Sequence, residues 1–263
     1  MDSIELYEKA EQLFCSEEYS EAEKMYESIH NLKENCDGFH NYGICLAKLG
    51  KCDKAIEVFT EIAEKHSDFK QIWYSLGVAY LIKDEPQYAI EYFSRAKEVL
   101  SDDAKVYFYS ALSYEILKNY DKAIEDYKTS LKLDDNFQTH MNLGLCYYDI
   151  RDIHSALEHT RMAFELNPDD LDSLRYYVYI LIKSKQRAEA YNILLNTNLN
   201  YDNDTTILEF LVLLALDSKE FQVADRTYDK LKKIDDEDYE LLNYEKFKQV
   251  AINNSGDVFE AYW

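Results

Sequence analysis

Histidines, cysteines and paired carboxylates are the side chains most often used for catalysis or metal binding, and this chain has all three kinds. Its six histidines are scattered, and His154 and His159 stand five residues apart, which points them to different sides of a helix. The metalloprotease, phosphate-loop and nucleophile-elbow patterns do not occur in the sequence. We therefore predict no catalytic residue, no metal site and no cofactor, and expect that the protein is not an enzyme.

Clusters of Asp and Asn recur along the chain and superficially suggest calcium binding. Examples are Asp102 with Asp103, Asp134 with Asp135, and the stretch 167–170. None of them has the ligand spacing of an EF-hand loop. Helix capping explains them better, because Asp and Asn side chains accept hydrogen bonds from the free N–H groups at a helix start.

The five cysteines are an odd number without a C-x-x-C pair, which favours reduced thiols over a disulfide framework. Cys45 and Cys52 lie near a turn and could form a thiol pair, but such residues are more often small buried hydrophobic residues.

The acidic N-terminal segment lacks the pattern of a secretory signal. The longest apolar run, 207–216, is too short to span a bilayer and contains Glu209. We expect a cytoplasmic protein without direct membrane insertion.

The net charge of −22 and the isoelectric point near 4.6 argue against nucleic acid as a partner, since phosphate binding needs clustered Lys and Arg. A hydrophobic content of 47% is enough for a packed core. With 6 Gly and 2 Pro, the chain has too few turn residues for a β-sandwich or barrel, so helices are favoured.

Small residues recur at a nearly constant interval and indicate the elements that position the other side chains. Alanines stand at successive distances of 33, 34, 34, 33, 34 and 34 residues. They are Ala22, Ala55, Ala89, Ala123, Ala156, Ala190 and Ala224. A large side chain follows four residues after each except the fifth, where Thr160 stands. Such a period predicts a solenoid of stacked helical repeats.

Residues 72–93 carry the most complete version of the repeat. Trp73, Leu76, Gly77 and Tyr80, followed by Ala89 and Phe93, form the pattern W-x2-L-G-x2-Y…A-x3-F. The chain thereby resembles the tetratricopeptide repeat (TPR) superfamily. The resemblance implies an all-α, right-handed superhelical α-solenoid of about seven helix–turn–helix repeats with a C-terminal capping helix. The family's glycine position reads Ala10, Gly43, Gly77, Ala111, Gly144, Val178 and Val212, so the sixth and seventh repeats depart from the pattern.

The predicted solenoid occupies residues 1–255. Its repeats are placed at approximately 3–35, 36–69, 70–103, 104–136, 137–170, 171–204 and 205–238, and the capping helix at 239–254. Within repeats, Asp53 and Asp121 are predicted to cap second helices. The aromatic tail 256–263 is expected to be a frayed terminus, with an anchor that packs on the solenoid or on a partner as the alternative.

In the proteins that this chain resembles, the first helices of successive repeats line a concave groove. Carried onto this sequence, the resemblance implies that the partner-binding residues are His40, Asn41, Tyr74, Phe108, Tyr109, Met141, Asn142, Arg175, Tyr176 and Tyr179. Tyrosine offers a large contact area with few rotatable bonds and a hydroxyl group for hydrogen bonding. The alternative is that these aromatics seal a tightly wound solenoid.

Some TPR proteins grip the C-terminal carboxylate of a partner with Lys, Arg and Asn. Here Asn41 and Asn142 lack the flanking basic residues, so such a clamp is not expected. The charges of the central groove roughly cancel, and they come from Lys105, Glu115, Asp149, Asp172, Arg175 and Lys183. This balance favours an apolar or mixed peptide or helix as the ligand.

The sequence is best interpreted as a non-enzymatic protein–protein interaction module: an adaptor, chaperone or assembly factor that binds a peptide segment or helix of a partner. The alternative is a structural subunit of a stable complex or homo-oligomer that uses ridge and terminal surfaces. A weaker hypothesis is sensing of a signal peptide that tightens the solenoid.

Overall fold

The computed structural model of the chain describes residues 3–66, 68–234, 244–253 and 256–262. All regular secondary structure in these ranges is helical. The helices are α1 (Ser3–Cys15), α2 (Tyr19–Glu27), α3 (Cys36–Lys48), α4 (Cys52–Lys65), α5 (Gln71–Ile82), α6 (Pro86–Val99), α7 (Ala104–Ile116), α8 (Tyr120–Leu133), α9 (Phe137–Asp149), α10 (Ile153–Leu166), α11 (Leu171–Lys183), α12 (Arg187–Asn196), α13 (Thr205–Asp217), α14 (Phe221–Ile234), α15 (Tyr244–Asn253) and α16 (Val258–Tyr262), with a 3₁₀ turn at Leu32–Glu34.

The helices form helix–turn–helix pairs in two compact units. Unit 1, Met1–Asp135, contains the pairs α1–α2, α3–α4, α5–α6 and α7–α8. Unit 2, Asn136–Trp263, contains the pairs α9–α10, α11–α12 and α13–α14, followed by α15 and α16. The prediction of an all-α fold built from helix–turn–helix repeats is confirmed. The individual repeat boundaries stay a prediction.

In the pairs α3–α4 and α5–α6, a glycine of the first helix faces the second helix. A Cβ atom added to Gly43 would lie 2.4 Å from a ring carbon of Phe59, and one added to Gly77 would lie 2.6 Å from Phe93. The alanines that precede these phenylalanines by one turn, Ala55 and Ala89, are fully buried. The missing side-chain volume is therefore refilled by a ring from the opposite helix, as dense core packing requires.

Thr160 stands where the other repeats have a large side chain, and close helix packing explains this difference as well. A Cβ on Gly144 would meet Thr160 Cγ2 at 2.7 Å, and also the backbone of α10 at 3.2 Å. The backbones of α9 and α10 thus approach closely enough that no ring fits between them. The Thr160 hydroxyl is satisfied within its own helix, since it donates to the Ala156 carbonyl at 2.8 Å.

The turn inside each pair contains one residue with left-handed backbone conformation. The N–H of the next residue bonds to the carbonyl five residues earlier, as from Lys51 to Leu46 at 2.8 Å, which closes the end of the first helix. The left-handed residues are Glu17, Gly50, Asp84, Lys118, Arg151, Lys185 and Lys219, with φ between 57° and 73°. Only glycine adopts this conformation without strain, and at this position only Gly50 is one.

The predicted caps at Asp53 and Asp121 are wrong. The residues at the N-caps of α4 and α8 are Lys51 and Asn119, neither of which caps through its side chain. Lys51 and Asn119 directly follow the left-handed residues, and their N–H groups donate to the preceding helix. The second helix begins at the next residue, so Asp53 and Asp121 lie inside its first turn. The clusters between repeats do cap the first helices, through Asn35, Asp103, Asn136, Asp170 and Asp204.

No helix in the described part of the chain is both long and apolar enough to cross a membrane. The apolar run 207–216 lies in α13, where every residue of the run except Glu209 is buried in the core of unit 2. A helix surrounded by others on all sides needs no polar face, which explains why Glu209 is the one charged residue of the run.

Helices α15 and α16 pack on the preceding helices of unit 2. The rings of Tyr244 in α15 and Tyr228 in α14 stack with centroids 4.1 Å apart. In α16, Val258 and Phe259 are each only 2% exposed, so the prediction of a frayed tail is wrong and the anchor is correct. Removal of both apolar side chains from water stabilises the packed position of α16 against fraying. The predicted cap residues 239–243 and 254, and Trp263, lie outside the described residues.

The left-handed turns give a direct test of backbone strain. We expect Gly50→Ala to lower the free energy of unfolding by about 1 kcal/mol, because no atom lies within 4 Å of the added Cβ and only the backbone conformation is penalised. Lys118→Gly, at the same position of another repeat, should raise it by less than ~1 kcal/mol. Urea denaturation of both variants measures this, and an unchanged Gly50→Ala would contradict it.

The close helix approach predicts that added volume is not tolerated at the buried alanines. Ala123→Leu should cost about 1–3 kcal/mol by forcing α7 and α8 apart. The same substitution at exposed Ala188 in α12 is the control, and it should leave the thermal midpoint almost unchanged. Equal stability of the two variants would refute the assignment of Ala123 to the contact.

Candidate functional site

Three positions on each first helix share one face, beside the close contact of the helix pair. They stand three residues before, one after and five after the small residue of the pair, which places them one helical turn apart. We call these positions the stripe. On α3, α5 and α7 the stripe reads His40, Ile44 and Lys48, then Tyr74, Val78 and Ile82, then Phe108, Leu112 and Ile116.

The stripes of α3 and α5 border an open cavity of about 170 Å³ within unit 1. Its walls are mainly apolar, and Ile82, at its border, is 47% exposed. The lining residues are Ile44, Ala47, Lys48, Phe59, Tyr74, Ser75, Val78, Ile82 and Tyr109. An apolar concavity with a few polar groups is the usual form of a binding site.

Two tyrosines from neighbouring repeats form one wall of the cavity. The rings of Tyr74 and Tyr109 meet edge to face, with centroids 5.8 Å apart. Both also contact the scaffold ring of Phe93, at 6.2 Å and 6.4 Å. Burial raises the pKa of the Tyr74 phenol, so its hydroxyl stays protonated and is able to donate a hydrogen bond. The structure thus brings together two of the predicted partner-binding residues.

His40 lies beneath this wall as a packing residue. Its Nε2 lies 2.7 Å from the hydroxyl oxygen of Ser75, and its ring packs against Phe59 and Phe69 at centroid distances of 5.5 Å and 5.0 Å. Burial lowers the pKa of His40 to about 4, against a smaller opposing effect of Asp37. At neutral pH the imidazole is therefore uncharged.

Asn41 is engaged inside unit 1. Its amide donates to both carboxylate oxygens of Glu11, at 3.0 Å and 3.2 Å, and the Tyr26 hydroxyl donates to the same carboxylate. The first two helix pairs are joined through this network, so Asn41 serves the scaffold.

The remaining predicted residues are half-buried. Phe108 packs against Tyr127 at 5.7 Å in unit 1. In unit 2, Arg175 forms ion pairs with Asp172 and with Asp204, the latter at 2.6 Å, and the hydroxyls of Tyr179 and Tyr148 are 2.9 Å apart. The structure places Met141, Asn142 and Tyr176 on first helices of unit 2, each half-buried.

Sequence reasoning missed Ile44, Lys48, Val78 and Ile82 as parts of the site. A usable signal was present, because α5 has apolar residues on all sides although pairing consumes only part of its surface. The residues one and two turns after Tyr74 are its neighbours on the same face. Among the described residues that line the cavity, Lys48 is the only charged one, and it forms no ion pair with another described residue.

The buried His40 predicts a pH dependence of stability. Its pKa lies below the ordinary value in the folded chain, so the unfolded chain binds more protons between about pH 6.5 and pH 4. We expect the free energy of unfolding to fall as the pH falls through this window. Urea titrations at several pH values measure the slope. His40→Gln should flatten it, and an identical slope in that variant would exclude His40 as the cause.

Comparisons with known proteins give the following findings. Two family models, both described as tetratricopeptide repeat, match residues 104–137 and 46–104. The chain is 37% identical over 93 residues to the protein SGT1 homolog of Bos taurus, which covers 35% of this chain and 28% of the relative. It is 25% identical over 207 residues to the tetratricopeptide repeat-containing protein trd-1 of Caenorhabditis elegans, which covers 75% of this chain and 26% of the relative. The chain thus spans about a quarter of the length of these relatives.

Solved structures share the fold. The structure of pilF from Pseudomonas aeruginosa superposes with a TM-score of 0.65 at 18% identity and covers 84% of this chain and 99% of its own. YrrB, a TPR protein described as having an unusual peptide-binding site, gives a TM-score of 0.61 at 18% identity, covering 73% of this chain and 99% of its own. At these identities the likeness concerns the fold.

Proposed function

The chain belongs to the tetratricopeptide repeat superfamily, and from this premise we propose that it binds a peptide segment or helix of a partner protein on the stripe of its first helices. Repeats of this family generally form non-enzymatic interaction scaffolds, and the matches support a protein-interaction module with protein partners. Binding on the stripe would make the chain an adaptor, chaperone or assembly factor.

The open cavity between α3 and α5 carries this proposal. If the aromatics of the first helices only sealed the solenoid, their stripes would be covered by neighbouring helices. Instead Val78 is half-buried, and Ile82 and Ile116 are each 47% exposed. Exposed apolar side chains such as Ile82 at the border of a concavity favour an interaction site.

Within this proposal the predicted residues have different roles. Tyr74 and Tyr109 contact the ligand from the cavity wall, and Phe108 extends the binding surface of unit 1 because it holds the stripe position of Tyr74 on α7. Met141 holds the same position on α9 and is proposed as a partner-contacting residue of unit 2. His40 and Asn41 support the surface from below. In unit 2 the proposed partner-contacting residues also include Asn142, Arg175, Tyr176 and Tyr179.

We also propose a cytoplasmic location, supported by the five cysteines, three of which are buried as small apolar residues.

Substitution in the cavity tests the proposal. Val78→Asp should weaken capture of the natural partner at least ~10-fold in co-purification from the native cell, because a bound apolar segment would bury an unpaired carboxylate. Val99→Asp is the matched control, since Val99 is 37% exposed at the end of α6, away from the cavity lining. Circular dichroism should show the same helix content in both variants.

The competing function, a structural subunit that binds through its ridges, predicts the opposite pattern. The partner would then be retained by Val78→Asp and lost on substitution of an exposed ridge residue such as Tyr88 of α6, which is 47% exposed. That outcome would overturn the proposal.

A further inference from the structure

The segment 257–262 lies along the stripe of α13. The Tyr262 hydroxyl donates to Glu209 Oε2 at 3.1 Å, and Asp257 is linked through Arg187 to Asp217, with distances of 2.7 Å and 3.2 Å. Glu209 and Asp217 stand three residues before and five after Val212, which are the first and last stripe positions of their helix. The two ends of the segment are therefore held at the two ends of one stripe.

An aromatic ring and a neighbouring carboxylate hold this segment in place. Phe259 is 2% exposed, and the guanidinium carbon of Arg187 lies 4.4 Å from the centroid of its ring. The same guanidinium pairs with Asp257, two residues before the ring. One cation thus recognises the ring by a cation–π contact and the carboxylate by an ion pair.

The middle residue of the α13 stripe is more deeply buried than its counterparts on the other first helices. Leu213, at the middle position on α13, is completely buried, together with Val258 and Phe259 in one core cluster. The corresponding residues of the other first helices, which are Glu11, Ile44, Val78, Leu112, Leu145 and Tyr179, are only half-buried. Of these stripes, only that of α13 has a fully buried middle residue. It is also the stripe along which the segment with Phe259 lies.

The open cavity of unit 1 likewise combines a space for an apolar group with a nearby cation. Its volume of about 170 Å³ is close to the ~150 Å³ of an engineered apolar cavity that holds one benzene molecule, so it suits a single aromatic ring. Tyr74 and Tyr109 present ring surfaces to such a guest. Lys48 lines the cavity without an ion pair among the described residues, and so places a free cation beside the ring site.

We propose that the occupant of this cavity is a partner segment that inserts one Phe or Tyr ring between α3 and α5 and places a carboxylate, within two residues of that ring, on Lys48. This inference rests on the proposed function and names the chemistry of the segment bound. The arrangement of Asp257, Phe259 and Arg187 in unit 2 is its intramolecular precedent.

A hexapeptide with the sequence of residues 256–261, acetylated and amidated, is the probe, because it carries one ring and the flanking carboxylates of Asp257 and Glu260. It is titrated into the full chain labelled with ¹³C at the isoleucine δ1 methyl groups. Ring currents should shift the methyl resonances of Ile44 and Ile82 in a saturable manner. Those of Ile124 and Ile153, which do not line the cavity, should stay unchanged.

Matched variants separate the two contacts. The peptide with Phe259→Leu should bind at least tenfold more weakly, and Lys48→Gln in the chain should weaken the parent peptide severalfold and reduce the salt dependence of binding. Val78→Asp in the chain should abolish the shifts, whereas Val99→Asp should preserve them.

Three outcomes would overturn the inference. Equal affinity of the Phe and Leu peptides would mean that the cavity accepts any apolar side chain, which leaves the proposed function intact. Shifts at Ile182 and Ile207 without shifts at Ile44 would mean that the peptide exchanges with α16 instead. Absence of any shift at millimolar peptide would mean that the cavity takes no such ring. Loss of the natural partner in Val78→Asp is measured separately, so failure of the proposed function is distinguishable.

Discussion

The structure depends on the close approach of the two helices in each pair. Gly77 leaves space on α5, Ala89 lets α6 come near, and Phe93 fills the space from the second helix, with a hypothetical Cβ on Gly77 only 2.6 Å from the ring. Because this contact consumes one side of each first helix, the remaining sides pack on neighbouring pairs or stay open. Within each unit, stacking of such pairs then builds a core mainly from contacts between helices that follow one another in the sequence.

That constraint also explains where a binding surface can arise. The stripe positions do not take part in the close contact, so their residue types vary between repeats while the scaffold stays the same. Tyr74 and Tyr109 nevertheless both touch Phe93, the ring that fills the space at Gly77. The wall of the cavity is therefore supported by the packed core, which holds the rings in position before a ligand arrives and lowers the entropic cost of binding.

The last helix pair shows what happens when a stripe is covered. A solenoid must shield the apolar face of its final repeat, and α15 contributes by stacking Tyr244 on Tyr228. The segment with Phe259 adds a second layer, held by the cation of Arg187. A stripe can thus either complete the core, as on α13, or remain open, as between α3 and α5.

The sequence by itself determined the repeat, since spacing and small residues such as Gly77 report a contact that recurs within some thirty residues. It also determined which face of α5 contains Tyr74, because helical periodicity is local. Only the tertiary structure decided that His40 is a neutral packing residue while Tyr74 borders a cavity, although both hold the same stripe position. It alone showed that Arg187 meets Asp257 seventy residues later. Such contacts depend on which helices become neighbours, and a repeat position specifies a face but not what lies against it.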